Sequence, residues 1–393
     1  MFGDHVGEAQ HDWTVVSIQT DYNKGEIMGS IRRLSTVLGT AALVLGTLTL
    51  STASTAISSS AATAKFKACI VTDTGGINDK SFNASAWAGA KDAAKVNKNI
   101  VPSYLSSTSS ADYVPNIASF VRKGCGIIVT VGFLMDQATA ASANANPRQR
   151  FAIVDDAPVA KKSHNVLSLQ YETDQAGFLG GILAAGMSKT GTVATFGGMQ
   201  FPSVTLYMNG FVAGVRYYDK TFSKSVKVLG WTPAPGACSL STCNGTGTFV
   251  GNFTDQTAGK TLTAGDFAAG ADIVFPVAGS VGLGSVAAAQ QAGAGHSVMW
   301  VDSNGCVANA AACPWFVGTV AKGVEPSVEA AILSAAKGTF KGGTYVGTLK
   351  NNGTALEYGG ISVPASLKSI INKAKAGIIA GKISVNPNKY PAP

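Results

Sequence analysis

Residues 68–87, ACIVTDTGGINDKSFNASAW, combine a strand, a glycine turn and the start of a helix, and they predict the fold of the chain. Residues 69–72 are a short apolar and β-branched run, which is typical of a parallel strand buried on both faces. Gly75 and Gly76 permit a sharp reversal, and residues 81–96 carry apolar side chains at helical spacing. The stretch therefore predicts a strand, loop and helix unit of an open α/β sheet.

Three side chains of this unit are candidates for ligand binding. Asp73 directly follows the strand, and ligands of open α/β sheets bind outside the carboxyl ends of strands. Asp79 is placed to cap the helix, and Phe82, in the first helical turn, can project over the crevice. Taken singly, the three residues are also explained as a turn former, a helix cap and a core residue. Together, the two carboxylates can accept hydrogen bonds from N–H or O–H groups at the edge of a ligand, and the ring can cover a planar part of it. The carboxylates would repel a pyrophosphate, which argues against a dinucleotide.

A resemblance to a known family begins in the same stretch. VTDTGGINDKSFNASAW (71–87) resembles the opening signature of the basic membrane protein family, the purine nucleoside receptor type of substrate-binding protein for ABC transporters. The similarity extends from about residue 65 to about residue 358. Its later landmarks fall in the family's order: VGFLMDQAT (131–139), FAIVDDAP (151–158), FLGGILAAGMSKTGTVATFGGM (178–199), GFVAGVR (210–216), GADIVFPVAGSVGLG (270–284), VDSNG (301–305) and GTVAKGVEPSVEAAI (318–332). The resemblance implies an α/β type I periplasmic-binding-protein fold, with two doubly wound parallel-sheet lobes, a hinge and an interlobe ligand cleft.

Two series of strands and helices are predicted along the chain. The composition, 46% hydrophobic and 13% charged, is typical of a compact α/β protein. The first series has strands at 69–72, 100–105, 126–131 and 151–155, with helices at 81–96, 111–123 and 134–145. The second has strands at 191–197, 225–230, 248–253, 272–276 and 297–301, with helices at 172–187, 204–218, 256–268 and 281–292.

A chain of 393 residues favours two domains, which fits two such series. The chain is expected to cross between lobes near 170–175, near 302 and near 340–350. The N-terminal lobe then comprises residues 65–172 with about 303–340, and the C-terminal lobe comprises residues 173–302 with about 341–393.

The beginning of the sequence predicts export. Residues 1–27 lack apolar periodicity and are interpreted as a non-native or mis-annotated extension, with Met28 as the initiator. Residues 28–64 are interpreted as a signal peptide, because the basic MGSIRR is followed by an apolar run over 34–50 and a small, polar segment. A single membrane anchor is the alternative for this run.

The cleavage site and the anchoring are left open by the sequence. Cleavage after Ala64 fits the A-x-A pattern, and Ala53 or Ala56 are alternatives. The family that the chain resembles is usually lipid-anchored through a cysteine, but none lies between Met28 and Ala68. The expected location is the periplasm or the outer face of the cytoplasmic membrane, with membrane association through the transporter or an uncleaved signal.

All six cysteines lie beyond the signal segment, and an even count in an exported protein favours disulfides. The predicted bridges are Cys69–Cys125, Cys238–Cys243 and Cys306–Cys313. The last two pairs are five and seven residues apart in loops. The first pair remains by elimination, at the starts of two strands that would lie side by side in a doubly wound sheet.

The charge of the exported part is basic. Residues 1–64 hold 3 of the 30 basic and 5 of the 22 acidic residues, which leaves 27 against 17, or a net charge of +10. Lysines are scattered and arginines are not clustered, so we interpret this as surface charge suited to an anionic envelope rather than as a nucleic-acid site.

Further candidate ligand residues follow strands in both series. Asp136 lies beyond the strand at 126–131, and Gly279 follows another strand in a segment with bare backbone N–H groups. By resemblance to the family, Phe253 stacks on the face of the base opposite Phe82. The same resemblance implies that Asp302 and Lys322 hold ribose hydroxyls. As single residues, Asp302 is also explained as a turn former, though less well, and Lys322 is equally explained as a solvated charge.

Catalysis finds little support in the sequence. The part beyond the signal has two histidines, His164 and His296, outside metal-ligand spacings, and no G-x-S-x-G elbow or Walker A motif occurs. We therefore expect no catalytic residue, cofactor or metal.

The expected function is capture of a nucleoside, foremost a purine nucleoside, by a monomeric binding protein that delivers it to ABC transporter permease subunits. The lack of a cationic phosphate cradle favours nucleosides over nucleotides. The alternatives are a binding protein or sensor for another small polar metabolite, such as a sugar or signalling molecule, without an import role, and an enzyme that turns over nucleosides.

Overall fold

The computed structural model describes residues 64–156, 164–236 and 238–390, whose strands form two six-stranded sheets and one two-stranded ribbon. The strands are β1 (Phe66–Thr72), β2 (Ile100–Ser106), β3 (Ile127–Val131), β4 (Phe151–Val154), β5 (Val166–Tyr171), β6 (Thr192–Gly197), β7 (Lys227–Leu229), β8 (Trp231–Pro233), β9 (Gly245–Gly247), β10 (Ile273–Val277), β11 (Ser297–Asp302), β12 (Phe316–Lys322), β13 (Gly343–Gly347) and β14 (Thr354–Tyr358). The helices are α1 (Phe82–Val96), α2 (Tyr113–Arg122), α3 (Asp136–Ala145), α4 (Thr173–Met187), α5 (Pro202–Phe222), α6 (Gln256–Ala268), α7 (Gly282–Ala292), α8 (Gly305–Ala308), α9 (Val324–Ala336) and α10 (Ala365–Ile379).

The first sheet has the strand order β13-β5-β4-β3-β1-β2, and its strands are all parallel. Alternation along β1 builds its two faces. Ala68 and Ile70 pack with α1 and α9, whereas Cys69 and Val71 pack with α2 and α3. Because helices cover both faces, the strand is apolar at successive positions, as the sequence predicts. This sheet and its helices are called the first lobe below.

The second sheet has the order β14-β12-β11-β10-β6-β7, in which β14 is antiparallel to β12 and the other pairs are parallel. Helices α4 and α5 pack against one face of it. Glycines let these two helices approach closely, because a Cβ on Gly181 or Gly214 would collide with a backbone carbonyl of the other helix. The apolar, glycine-rich α4 is therefore a packing element. This sheet and its helices are called the second lobe.

The places where the chain passes between the lobes correct part of the predicted domain division. The chain leaves the first sheet after β5, returns after β12 and leaves it again after β13. The return was predicted near residue 302, but β12 continues the second sheet beside β11, so the return follows Lys322. The strand β13 lies in the first sheet, although its residues were assigned to the C-terminal lobe. The strand β12 pairs with the preceding strand β11, which keeps it in the second sheet, whereas β13 pairs with β5, far earlier in the sequence.

The predicted strand at 248–253 is wrong. The structure has the short antiparallel ribbon β8–β9 before this segment and only an isolated bridge between Gly197 and Phe249 within it. Gly251 has φ of 89°, and the Asn252 side chain accepts hydrogen bonds from the backbone N–H groups of Thr254 and Asp255. These local bonds compete with strand pairing, so Phe253 lies in a loop.

All six cysteines form the predicted bridges: Cys69–Cys125, Cys238–Cys243 and Cys306–Cys313. Cys69 lies in β1 and Cys125 just before β3, and these two strands are neighbours in the first sheet. The first bridge therefore links two strands, whereas the other two close short loops.

The predicted extension (1–27) and all but the last residue of the predicted signal peptide (28–64) lie outside the described residues. Within the part of the chain that the structure describes, no helix combines the length and apolar character needed to cross a membrane.

Candidate functional site

A cavity lies between the two lobes, at the carboxyl ends of the parallel strands of both sheets. It encloses about 570 Å³ of space between protein atoms, part of it open to solvent. The structure brings seven of the eight sequence-predicted ligand residues together at its walls: Asp73, Asp79, Phe82, Phe253, Gly279, Asp302 and Lys322.

Asp79 caps the first turn of α1 with both carboxylate oxygens. Its Oδ1 accepts hydrogen bonds from the N–H groups of Ser81 and Ala84, both at 3.0 Å, and its Oδ2 accepts one from the N–H of Asn83 at 2.8 Å. Burial raises the pKa of Asp79 to about 7, although the three N–H groups favour the carboxylate. Most of its acceptor capacity thus serves the helix, as a cap should.

Asp73 is tied to its own loop through one oxygen. Its Oδ1 accepts hydrogen bonds from the N–H of Gly75 at 3.0 Å and from Nδ2 of Asn83 at 2.8 Å. Burial raises the pKa of the Asp73 carboxyl. Asn83 also lines the cavity, and its Oδ1 is buried with no hydrogen-bond donor among the described residues. A buried acceptor without a donor is costly, so this oxygen is suited to receive an N–H or O–H group from a ligand.

Asp302 connects the two lobes at the floor of the cavity. Its Oδ2 accepts a hydrogen bond from Ser81 Oγ of the first lobe at 2.9 Å. Its Oδ1 accepts one from the Tyr207 hydroxyl, on α5 of the second lobe, also at 2.9 Å. The carboxylate is therefore held in one orientation by groups from both sides.

The Lys322 ammonium is buried among carboxylates and aromatic rings. Its Nζ lies 2.6 Å from Asp155 Oδ2 and 3.4 Å from Asp302 Oδ1. It also lies 4.9 and 5.0 Å from the ring centroids of Phe82 and Tyr207, within the range of cation–π attraction. Burial by itself lowers the pKa of Lys322, but the two carboxylates hold it above its ordinary value. Lys322 is thus a buried cation of the cavity, which rejects the alternative of a solvated charge.

Aromatic rings from both lobes line the cavity. Phe133, which follows β3, stacks on Phe201, which precedes α5, with ring centroids 4.6 Å apart and planes 26° apart. Phe201 in turn lies 6.5 Å from Phe253. The Phe133–Phe201 stack therefore spans the two lobes directly.

Backbone groups form a further part of the wall. Gly279 follows β10 with φ of 56°, and a side chain there would contact the backbone of Phe253. Ser280 Oγ donates a hydrogen bond to the Phe253 carbonyl oxygen at 2.7 Å. This bond ties the Phe253 loop, which has no strand pairing of its own, to the end of β10.

Asp136 is not among the residues that line the cavity. A short 3-10 turn, Phe133–Met135, separates it from β3, and it begins α3. Burial raises the pKa of its carboxyl, which forms a hydrogen bond with Asp156. Asp136 is therefore removed from the candidate ligand residues, and Phe133 and Asp155, which follow β3 and β4, line the cavity instead.

The cavity offers hydrogen-bond acceptors, one ammonium group and flat apolar faces. Among the described residues, no group of three or more His, Cys, Asp or Glu side chains is arranged to hold a metal ion. Such walls suit the binding of a small ligand with a planar part and a polar edge.

A family model described as ABC transporter substrate-binding protein PnrA-like, Bmp, matches residues 66–235 and 247–378. The chain belongs to the Bmp family. This confirms the resemblance found in the sequence. The interruption of the match, at 236–246, coincides with the loop of this Bmp-family protein that holds the Cys238–Cys243 bridge.

Similar proteins support the same family. ABC transporter nucleoside-binding protein BmpA of Lactococcus lactis subsp. cremoris is 31% identical over 349 residues, which cover 82% of this chain and 89% of that protein. Basic membrane protein A of Borreliella burgdorferi is 26% identical over 233 residues, which cover 58% of this chain and 61% of that protein. Bmp-family membership implies a ligand and a membrane permease as partners, and it suggests export.

A solved structure shows the fold. An ABC transporter system solute-binding protein from Aeropyrum pernix K1 superposes with a TM-score of 0.70 at 22% identity, covering 81% of this chain and 92% of that one. The predicted type I periplasmic-binding-protein fold is therefore confirmed for this Bmp-family chain.

Sequence reasoning missed several side chains that line the cavity: Asn83, Phe133, Asp155, Phe201 and Tyr207. Asp155 is the last residue of the predicted strand at 151–155, and Phe133 lies two residues after the one at 126–131, so the strand-end rule that selected Asp73 points to both. Phe201 and Tyr207 had no such signal. They lie at the start and in the first half of α5, where the packing of the helix decides which side chains face the cavity.

Proposed function

We propose that this Bmp-family protein captures a nucleoside, foremost a purine nucleoside, between its lobes and delivers it to an ABC importer. One observation carries the proposal: Phe82 and Phe253, one from each lobe, line a single cavity together with carboxylates and the Lys322 ammonium. The family description as ABC transporter substrate-binding protein supports the role. The Lactococcus relative is itself named a nucleoside-binding protein.

The base would lie between Phe82 and Phe253. Stacking on an aromatic ring contributes about 1–3 kcal/mol per base. Asp73 and the unpaired Asn83 Oδ1 would accept hydrogen bonds from N–H groups at the edge of the base. Asp79, whose oxygens already accept three N–H groups, would contribute less than the sequence predicts.

The sugar would be held by Asp302 and Lys322. The Lys322 ammonium has three N–H donors, and its contacts with Asp155 and Asp302 leave one for a ligand hydroxyl. Asp302 is oriented by Tyr207 of its own lobe and, across the cavity, by Ser81. Groups that are already oriented lose little conformational entropy on binding, which favours affinity.

The charges of the cavity favour a nucleoside over a nucleotide. Among the described residues that line it, four are acidic and Lys322 is the single lysine or arginine. Because Lys322 is already paired with two of these carboxylates, a phosphate group would meet repulsion without a compensating cation.

Binding would favour the closed arrangement of the lobes, because ligand contacts come from both of them. The permease can then recognise closure. The role is that of a monomeric extracytoplasmic binding protein with no catalytic residue, at the periplasm or the outer face of the membrane.

Purine nucleosides are expected to raise the melting temperature of the purified protein, with adenosine, guanosine and inosine as probes and ribose and glucose as comparison ligands. Ligand at 100 times its Kd should add about 2.7 kcal/mol to stability. Phe82→Ala and Phe253→Ala should each weaken binding by about 1–3 kcal/mol. Phe222→Ala is the control, because this ring is 37% exposed and lies outside the cavity. If no nucleoside shifts the melting temperature of the wild-type protein, or if sugars alone do, the nucleoside proposal is wrong.

Gly132→Ala is expected to lower both stability and nucleoside affinity. Gly132 has φ of 108°, and a Cβ there would lie 2.5 Å from Asp73 Oδ2 and 3.5 Å from Phe82 Cε1. The backbone conformation alone should cost about 1–2 kcal/mol, and the contact would displace Asp73.

Gly124→Ala is the matched control, since Gly124 has φ of 66° but a Cβ there meets nothing within 4 Å. Urea unfolding should show a loss in both variants, whereas calorimetry should show weakened binding in Gly132→Ala alone. Equal nucleoside affinity in the two variants would contradict the placement of Asp73 at the ligand.

A further inference from the structure

The ion pair between Asp155 and Lys322 joins the two lobes. Asp155 directly follows β4 of the first sheet, and Lys322 is the last residue of β12 in the second sheet. Their charged atoms lie 2.6 Å apart, and the side chains are 10% and 3% exposed. The cost of removing two charges from water is offset only when the geometry of the pair is good. Removal of one partner would leave the other charge buried and uncompensated.

Several residues at the contacts between the lobes also have an unusual backbone conformation. Among the described residues, five that are not glycine have φ in the left-handed region: Lys80, Asp155, Ser223, Asp302 and Asn352. Three of the five belong to contacts between the lobes. Asp155 pairs with Lys322 of the second lobe, and Asp302 accepts a hydrogen bond from Ser81 Oγ of the first lobe. The Lys80 carbonyl accepts a hydrogen bond from Ser303 Oγ of the second lobe. Strained residues persist where the surrounding contacts require them, often at ligand sites.

Asp155 and Asp302 contact the ammonium from different lobes. They end the third strands of their respective sheets, counted from the β13 and β14 edges. Asp302 lies in the same lobe as Lys322, so it holds the lysine whether or not the lobes are together. Asp155 does so from the other lobe, and only when the lobes are closed.

We propose that Asp155 is a positioning residue that fixes the Lys322 ammonium at the wall of the cavity, so that its remaining donor is aimed at the ligand. The inference rests on the proposed nucleoside-binding function and assigns to Asp155 a role in it. Asp155 acts through Lys322, which makes the ligand contact. The titratable groups that face Asp155 are Lys322, Asp302, Asp73, Tyr171 and Tyr207.

Asp155→Asn tests the role of the carboxylate with little change of shape. Asparagine tolerates the left-handed backbone conformation at this position, so the fold should survive. Calorimetry with inosine, adenosine and guanosine at about pH 7 should show a Kd raised about tenfold or more. Asp92→Asn is the matched control, because Asp92 forms an ion pair of the same 2.6 Å length with Lys95 on the surface. Its Kd should equal that of the wild-type protein.

The titration of Lys322 provides a readout that needs no ligand. In the wild-type protein, the ¹³Cε NMR signal of Lys322, assigned by its loss in Lys322→Arg, should titrate above the ordinary range of lysines. In Asp155→Asn it should titrate at lower pH, whereas in Asp92→Asn it should not move. Asp155→Glu keeps a carboxylate near Lys322, so its Lys322 signal should titrate at the same high pH as in the wild-type protein. This second variant can be measured if Asp155→Asn does not fold.

The outcomes separate this inference from the proposed function. If the wild-type protein binds no nucleoside, the proposed function fails, and the NMR titration still decides whether Asp155 controls Lys322. If the wild-type protein binds and Asp155→Asn binds equally well, with an unchanged Lys322 titration, the inference is overturned while the function stands.

Discussion

Lys322→Met is expected to lower the free energy of unfolding by about 3–5 kcal/mol and to abolish measurable nucleoside binding. Methionine retains an unbranched apolar stem, so the rings of Phe82 and Tyr207 keep a neighbour. The carboxylates of Asp155 and Asp302, however, remain buried without their cation. Urea unfolding at about pH 8, together with calorimetry against inosine, measures both effects.

The loss of stability in Lys322→Met should shrink as the pH falls. With Lys322 present, burial already raises the pKa of Asp155 to about 6, and removal of the cation raises it further. A carboxyl whose pKa is higher in the folded than in the unfolded state binds more protons when folded, so stability falls as the pH rises between the two values. The variant should therefore be closest to the wild-type protein at about pH 5. A difference that is constant with pH would contradict the unpaired carboxylates as its cause.

Lys95→Met serves as the control for loss of an ion pair as such. Lys95 pairs with Asp92 at the same 2.6 Å, but its side chain is 74% exposed. Exposed pairs contribute little to stability, because water solvates both charges when the pair is broken. A loss as large as that in Lys322→Met would mean that burial is not what makes the Lys322 pair important.

Removal of the Cys69–Cys125 bridge, as Cys69→Ala with Cys125→Ala, is expected to lower the free energy of unfolding by about 4 kcal/mol. The bridge closes a loop with a sequence separation of 56 residues, and a longer closed loop restricts the unfolded chain more. Both cysteines also belong to the core between β1 and α2, so the alanines lose some packing. Urea unfolding of the double variant under non-reducing conditions measures the loss.

The comparison for this bridge is Cys238→Ala with Cys243→Ala, which opens a separation of only 5 residues. The expected loss is about 2 kcal/mol, because so short a loop restricts the unfolded chain less. Nucleoside affinity should be unchanged in this variant, since neither cysteine lines the cavity. Equal losses in the two double variants would argue against loop closure as the main source of stabilisation.

Local patterns predicted much of the first lobe. The β1–α1 unit, the strands β2 to β4 and the positions of Asp73, Asp79 and Phe82 follow from apolar periodicity, glycine turns and the rule that ligands bind at the ends of parallel strands. The strand β5 was not predicted. Asp302 and Gly279, which also follow strands, line the cavity. Asp136 does not line it, because a 3-10 turn separates this residue from the end of β3.

The later part of the chain was predicted less well. The strands β12, β13 and β14 and the helices α9 and α10 were not predicted, and the return to the first lobe was placed about twenty residues too early. Which sheet a strand joins depends on partners far away in sequence, and a pattern along the chain does not contain that information. The loop that carries Phe253 was taken for a strand because its side-chain hydrogen bonds depend on rotamers that periodicity does not show.

The amino-acid sequence alone was sufficient for most of the alternation of strands and helices up to β11, for the pairing of the cysteines and for the kinds of side chain that end these strands, because these depend on spacing along one chain. The tertiary structure was needed to show that Asp155, Asp302 and Lys322 form one buried cluster and that Phe133 stacks on Phe201. It also showed that the carboxylate oxygens of Asp79 accept hydrogen bonds from N–H groups at the start of α1. These features depend on how the two lobes meet. The charge state and orientation of Lys322 are set by groups that are distant in sequence and become neighbours only when the lobes come together.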